Sequence, residues 1–235
     1  MTAPVIHRVT TLDLAFKPSP WRFAEDRRAE IDAHFARQRR DKPDMFNGHV
    51  LLGRNPVFDA GVLTADYFET DFASFLAWRD FGFPDRDVFN GFGMGALRGS
   101  DGAYVLGEMA GNTANAGRIY FPSGTPDRSD LRGDRVDIAE SVFREVGEET
   151  GLSPADYRAA DDWHCVVTPT SIAMMRILDV AMPGQALREA IEANLAKQAA
   201  PELSAMHVVR STADFTPAMP VFVTAFIESQ LALAD

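Results

Sequence analysis

The apolar positions of the chain follow two periods, one typical of helices and one typical of strands. Residues 20–41 carry many charges but place apolar residues on one side, which predicts an amphipathic helix that begins at Ser19-Pro20. The apolar stripe of this helix consists of Trp21, Phe23, Ile31 and Phe35. Residues 1–18 predict a short strand or arm before the helix.

The rest of the chain predicts strands and helices in alternation. Further helices are predicted over residues 71–82, 138–150, 184–198 and 218–233. Strands are predicted over residues 47–53, before residue 71, on both sides of a turn at 99–102, and over 118–121, 164–168, 171–182 and 206–211. The segment FNGFGMG has glycine at alternate positions, but no phosphate-binding lysine follows it, so we interpret it as a strand and not as a nucleotide cradle. This alternation predicts the α/β class.

Composition and charge narrow the function classes. The chain has 235 residues, 46% of them hydrophobic, which is enough to bury a full core in a globular protein. The formal net charge of −11 disfavours nucleic acid as a partner, because broad binding to phosphates depends on Lys and Arg. A bound divalent cation reverses the local charge, so a phosphate substrate stays compatible with this acidity.

Cysteine content and hydropathy point to a cytoplasmic location. A single cysteine, Cys165, excludes an intrachain disulfide and a cysteine-rich zinc site. The N-terminal residues lack the basic start and apolar region of a signal peptide, and the apolar stretches are too short to span a membrane. We therefore expect a cytoplasmic protein that does not bind membranes.

The most informative segment is VDIAESVFREVGEETGL, residues 136–152. Asp137 and Glu140 are spaced as a capping box, and Gly151 suits the left-handed position after a helix, so a helix of about three turns is predicted. Its buried stripe consists of Ile138, Val142 and Val146, which recur at every fourth position.

Three carboxylates of this helix, those of Glu145, Glu148 and Glu149, have i, i+3 and i+4 spacing on another face. Mutual repulsion and the helix dipole both disfavour acids near a helix C-terminus, which indicates a compensating cation. Oxygen ligands suit Mg²⁺ or Mn²⁺, which orients a diphosphate and activates water. Arg144 precedes Glu148 by four residues and can pair with it. For an arbitrary acidic cluster, a solvated helix face is the favoured interpretation.

The residues around the acidic cluster favour a metal site over a solvated helix face. The segment REVGEETGL, residues 144–152, matches the second half of the Nudix box, G-x5-E-x7-R-E-U-x-E-E-x-G-U with U aliphatic, at every specified position. The chain therefore resembles the Nudix hydrolases, most specifically over about residues 120–152. The resemblance implies an α/β/α sandwich with a mixed β-sheet, here with an N-terminal extension of helix and strand. It also implies that Arg144 orients the three metal ligands Glu145, Glu148 and Glu149.

The first half of the box departs from this pattern. Val136 and Asp130 stand at the positions of its first Glu and first Gly. Gly124 resembles the glycine that follows the preceding strand in the family, with a longer loop after it. Asp134 or Asp137 is then the candidate for the acid that Val136 replaces.

A catalytic base often comes from a later loop in this family. Glu202 is the candidate, because the segment PELSAMHVVRS resembles the family's late strand preceded by an acid; an exposed loop carboxylate without a function is the alternative. Glu108, on the predicted strand YVLGEM, is a second candidate. The predicted catalytic residues are thus Arg144, Glu148 and Glu202.

The predicted function is metal-dependent hydrolysis of the diphosphate linkage in a nucleoside diphosphate joined to another group, such as a sugar. The cofactor is Mg²⁺ or Mn²⁺ and the partner is a small nucleotide. Residues 1–90 are predicted to form an extension packed on a Nudix domain of residues 91–235. Such extensions shape substrate choice or dimer contacts in the family, so a homodimer is one expectation. Two alternatives stay open: a non-catalytic Nudix-like nucleotide-binding or regulatory module, and an RNA-cap hydrolase, which the net charge disfavours.

Overall fold

The computed structural model describes residues 3–43 and 45–233. The strands are β1 Val5–Val9, β2 Thr11–Phe16, β3 His49–Asp59, β4 Val62–Asp71, β5 Val88–Arg98, β6 Tyr104–Met109, β7 Ile119–Tyr120, β8 Ser123–Gly124, β9 Leu131–Arg132, β10 Arg135–Val136, β11 Tyr157–Ala159, β12 Trp163–Val167, β13 Ser171–Val180 and β14 Leu203–Val209. The helices are α1 Arg22–Asp26, α2 Arg28–Asp41, α3 Phe72–Asp80, α4 Ile138–Thr150, α5 Gly184–Leu195 and α6 Val221–Leu231.

The strands join in one mixed sheet. Its main path runs β1-β12-β13-β5-β3-β4-β2-β10-β9, and β6 carries β14 and β7 beside β5. The pairs β13–β5 and β2–β4 are parallel, whereas β1–β12, β12–β13, β3–β4 and β6–β14 are antiparallel. The predicted mixed sheet is therefore confirmed.

Strand β5 carries the alternating glycines, and they let helix α4 lie directly on the sheet. A Cβ atom on Gly93 would overlap the side chains of Val142 and Ile138, and one on Gly95 would overlap Val146. These three helix residues are buried, as their four-residue spacing predicts. The interpretation of this segment as a strand is confirmed, and its glycines make room for a helix.

Successive side chains of a strand point to opposite faces, so β5 has a second face that points away from α4. This face packs against α6. The rings of Phe92 and Phe222 meet there edge to face, with centroids 5.6 Å apart. Helix α5 covers β14 with the buried side chains of Leu187 and Ile191. The sheet thus lies between helices, which confirms the predicted α/β/α arrangement.

The predicted N-terminal strand is two strands in the structure, and they join distant parts of the sheet. Strand β1 pairs with β12 and β2 pairs with β4. The predicted domain boundary at residue 90 falls inside β5, and the division into two domains stays a prediction.

The predicted helix start at Ser19-Pro20 is wrong. The first helix begins at Arg22 with Trp21 as its N-cap, and Arg27 separates α1 from α2. Trp21 is buried and donates its indole N–H to Asp85 at 2.8 Å, which holds it outside the helix. It packs with Phe68 and Trp78 in a second apolar cluster built from α1, α2, α3, β3 and β4.

None of the helices formed by residues 3–43 and 45–233 is both long and apolar enough to cross a membrane.

Candidate metal and active site

Helix α4 begins and ends at the residues that the sequence predicts. The Asp137 carboxylate accepts the backbone N–H of Glu140 at 3.0 Å, and Gly151 takes the left-handed conformation with φ of 77°. Glycine adopts this conformation without the steric cost of a Cβ atom, so the helix ends there. The three predicted metal ligands therefore lie in the last two turns of α4.

Arg144 connects two of these acids. Its Nη1 donates to Glu145 Oε1 at 2.8 Å and to Glu148 Oε2 at 3.3 Å, while its Nη2 donates to Asp130 Oδ1 at 3.2 Å. Burial disfavours the charged guanidinium, but the neighbouring acids outweigh this effect and raise the pKa of Arg144. Arg144 therefore links two of the three predicted ligands to Asp130, and its orienting role stays a prediction.

Glu149 is the most buried of the three glutamates. The residue is 3% exposed, and its Oε2 atom has no hydrogen-bond partner among the described residues. Burial, followed by the charges of Glu145 and Glu202, raises the pKa of Glu149 well above its usual value, and a backbone hydrogen bond from Ser123 opposes this shift. A carboxylate in this environment needs a cation from outside the protein to be stable in its charged form.

Glu145 packs against strand β8. A Cβ atom on Gly124 would overlap the Glu145 carboxylate, so only glycine at this position lets the side chain lie against the strand. Burial raises the pKa of Glu145 to about 7, although Arg144 opposes the shift. The glycine that the sequence singles out is therefore in contact with a predicted metal ligand. Glu148, by contrast, is largely exposed, with 63% of its side chain accessible.

Glu202, the predicted catalytic base, lies close enough for its charge to act on this group. Glu202 is an exposed residue just before β14, and its charge contributes to the raised pKa values of both Glu145 and Glu149. Burial raises the pKa of Tyr120 to about 12, and Glu149 and Glu202 add to the shift. The phenol and the carboxylates therefore share one region of the molecule.

Glu108 points away from this region. It pairs with Ile119 across β6 and β7, while Tyr120 pairs with Gly107, so Glu108 and Tyr120 project from opposite faces. The Glu108 carboxylate instead lies 2.8 Å from His207 Nε2. Its role as a second candidate base therefore has no geometric support.

The buried acid that contacts Arg144 is not one of those predicted from the sequence. Asp134 is exposed beside Arg135, and Asp137 caps the N-terminus of α4. Asp130 instead is 1% exposed, and its carboxylate accepts from Arg144 and from the backbone N–H of Asp127. The only sequence signal was the spacing of Asp127 and Asp130, which form a capping box around a short 3₁₀ turn. Val136, at the position of the missing glutamate, is buried in the core.

The chemistry of the donor set fits a divalent metal ion. All the donors are carboxylate oxygens, which suit Mg²⁺ or Mn²⁺, and the unpartnered Glu149 Oε2 is the kind of atom that a hard cation satisfies. Within residues 3–43 and 45–233, no three acidic, histidine or cysteine side chains are arranged to hold a metal as they stand. In this arrangement Arg144 pairs with both Glu145 and Glu148.

A small polar cavity of about 110 Å³ lies against strands β5, β7 and β8 and helix α6. Ser123 and Gly124 of β8 form one wall, and Asn90, Phe92 and Phe222 form others. Since Gly124 also contacts Glu145, the cavity and the carboxylate group share this strand.

Comparisons with known proteins give likenesses of structure only. No family model matches the chain, and no curated protein sequence matches it. Solved structures with a similar fold include the MutT protein of Methanosarcina mazei Go1, which is 18% identical with a TM-score of 0.39, over 63% of this chain and 96% of that one. They also include the Nudix hydrolase RenU of M. smegmatis, at 16% identity and a TM-score of 0.38 over 63% and 89% of the two chains. An Ap4A hydrolase of C. elegans is 10% identical with a TM-score of 0.38, over 61% of this chain and 97% of that one.

Proposed function

We propose that this protein is a Nudix-type pyrophosphohydrolase that cleaves the diphosphate linkage of a nucleoside diphosphate joined to another group. The observation that carries the proposal is the buried carboxylate of Glu149, whose Oε2 has no partner among the described residues and which lies beside Glu145 and Glu202. A solvated acidic helix face, the alternative weighed from the sequence, does not bury a carboxylate in this way. The motif REVGEETGL supports the same conclusion from the sequence.

Glu145, Glu148 and Glu149 are the proposed holders of a Mg²⁺ or Mn²⁺ ion. When bound, such an ion would neutralise charge on the diphosphate and lower the pKa of an attacking water. Arg144 holds Glu145 and Glu148 in position through its Nη1 atom, and Asp130 anchors the same guanidinium through Nη2. Glu202 is the proposed acceptor of the proton from the attacking water, because it is exposed and close to the buried pair.

A substrate panel tests the proposal. The purified protein is incubated with nucleoside diphosphate sugars, dinucleoside polyphosphates, CoA, ADP-ribose and nucleoside triphosphates, with Mg²⁺ or Mn²⁺, and ³¹P NMR detects the phosphate products. We expect turnover of at least one conjugate into two monophosphate products, and loss of that turnover on addition of EDTA.

Matched variants test the assigned residues. We expect Glu148→Gln and Glu149→Gln to abolish turnover, whereas Glu228→Gln, an exposed position on α6, leaves it unchanged. Unchanged turnover in the first two variants contradicts the assignment. Calorimetric binding of a nucleotide without any product, across both metals, would instead favour a non-catalytic binding or regulatory module.

A further inference from the structure

Four neighbouring strands place a row of polar side chains at one end of the sheet. Tyr104 on β6 pairs with Arg98 on β5, which also pairs with Asp179 on β13. Asp179 in turn pairs with Arg158 on β11. Side chains of directly paired residues project from the same face of a sheet. The Tyr104 ring packs against Phe226 of α6, so the row lies on the α6 face, away from the carboxylate helix.

This row lines a groove of about 540 Å³. The turn residues Gly99, Ser100 and Gly102 form one side of the groove, and Gln230 and Leu231 at the end of α6 form another. Sites for small molecules have volumes of about 300–1,000 Å³. The groove therefore has room for a small molecule.

The hydroxyl of Tyr104 lacks a hydrogen-bond acceptor. Tyr104 is 2% exposed, and its oxygen has no hydrogen-bond partner among the described residues. Burial raises the pKa of this phenol, while Arg98 opposes the shift and Asp179 adds to it, so the hydroxyl lies near both charged groups. A guanidinium only donates hydrogen bonds, so Arg98 cannot accept the phenol proton. A buried donor without an acceptor costs free energy, and a ligand that supplies the acceptor removes this cost.

The charges that line the groove have an excess opposite in sign to that of the whole chain. Asp179 accepts from Arg98 Nε at 2.7 Å and from Arg158 Nη2 at 3.4 Å. One carboxylate therefore faces two guanidinium groups, in a chain with a formal net charge of −11. Each guanidinium carries five N–H donors, and a single carboxylate cannot accept all of them. Spare N–H donors, an unpaired O–H donor and an excess of positive charge together suit an oxyanion.

We propose that this groove is a second ligand site, which binds the carboxylate or phosphate group of a small molecule between Arg98, Arg158 and the Tyr104 hydroxyl. The phenol donates its proton to the oxyanion, and the two guanidinium groups offset its charge. The site is separate from the proposed metal site, because α4 packs on the other face of β5 through Gly93 and Gly95. Binding here requires neither a metal ion nor turnover, so the inference does not depend on the proposed function.

Titrations in EDTA test the inference without a metal ion. Inorganic phosphate and succinate are titrated separately at constant ionic strength, and ¹H–¹⁵N NMR follows the backbone amides of the turn residues Gly99, Ser100 and Gly102. The test variants are Tyr104→Phe, which removes the unpaired hydroxyl, and Arg158→Gln, which removes one of the two positive charges.

Both variants are expected to fold. Phenylalanine removes only a hydroxyl that has no partner among the described residues, and the side chain of Arg158 is 87% exposed. The thermal midpoint verifies this. Arg22→Gln, at an exposed position on α1, is the matched control, because it removes the same charge outside the groove.

We expect at least one of the two anions to shift the turn amides saturably in the native protein and in Arg22→Gln. Tyr104→Phe should weaken this binding about 10-fold or more, as loss of a hydrogen bond to a charged group predicts. Arg158→Gln should weaken it about 2- to 5-fold, because an exposed charge is screened by solvent. The anion that binds more tightly identifies the ligand group as a phosphate or a carboxylate.

Two results overturn the inference. One is the absence of saturable shifts with both anions, and the other is an affinity that Tyr104→Phe retains. A failure of the proposed function shows separately, as an absence of turnover in the substrate panel.

Discussion

The carboxylate of Glu149 is buried, and its Oε2 atom has no hydrogen-bond partner among the described residues. We therefore predict that removing the charge of Glu149 stabilises the metal-free protein. Glutamine has almost the same shape as glutamate but carries no charge. Because Glu149 is 3% exposed and its Oε2 has no partner among the described residues, we expect Glu149→Gln to raise the thermal midpoint of the protein in EDTA.

The magnitude follows from the environment of Glu149. An unsatisfied buried polar group costs about 1–3 kcal/mol, and the new amide recovers only part of this, so we expect a gain of about 1–2 kcal/mol. For a chain of this length that corresponds to a rise of about 2–8 °C. The pKa of Glu149 is raised in the fold, so the native state holds its proton more tightly than the unfolded chain does, and native stability falls as pH rises above the usual pKa of 4.5. The gain is therefore largest under alkaline conditions and vanishes below that pKa.

Thermal unfolding followed by circular dichroism measures this effect in EDTA, at acidic and alkaline pH, and then with saturating Mg²⁺. Glu148→Gln is the matched control, because the neighbouring side chain is 63% exposed and its loss of charge changes the metal-free midpoint little. Mg²⁺ is expected to stabilise the native protein and neither variant, since each lacks a ligand. A lower midpoint for Glu149→Gln in EDTA would show that the carboxylate is satisfied in the apoprotein and would refute the reasoning.

Three further predictions concern neighbouring residues. Arg144→Ala leaves the 1% exposed Asp130 as an unpaired buried charge, so urea unfolding should show a loss of about 3–5 kcal/mol, and adding Asp130→Asn should recover part of it. Gly124→Ala displaces the Glu145 carboxylate that packs against this glycine and should weaken the Mg²⁺-induced rise in thermal midpoint. Gly111→Ala, where a Cβ atom meets open space, should leave this rise unchanged. Equal responses of the two variants would contradict the contact between Gly124 and Glu145. Glu202→Gln should lower kcat about 10²- to 10⁴-fold, as loss of a general base does, with the Mg²⁺-induced stabilisation unchanged; a full kcat would exclude the assigned role.

The sequence was sufficient to locate helix α4 and its buried stripe, because the signals for a helix are local. A capping aspartate, a final glycine and apolar residues at every fourth position depend only on neighbours along the chain. The alternating glycines of β5 were placed correctly on a strand for the same reason, although their purpose became clear only from the packing of Val142 and Val146 against them.

Features that depend on distant contacts were not predictable. Asp130 lies fourteen positions before Arg144, and a loop through β9 and β10 brings the two together. The helix start was misplaced at Ser19-Pro20, since its true position depends on a hydrogen bond from Trp21 to Asp85. The separate partners of β1 and β2, strands β12 and β4, are likewise set by tertiary pairing.

The two faces of β5 have a consequence for how this protein tolerates insertions and deletions. Gly93 and Gly95 face α4, while Asn90, Phe92 and Met94 face the cavity beside α6. Loss of one residue within β5 would exchange these faces, because side chains alternate with a period of two. Bulky side chains would then lift the carboxylate helix from the sheet, and the cavity would lose its amide and its ring in the same event. The alternation of side chains along this single strand therefore determines both the packing of the carboxylate helix and the lining of the cavity.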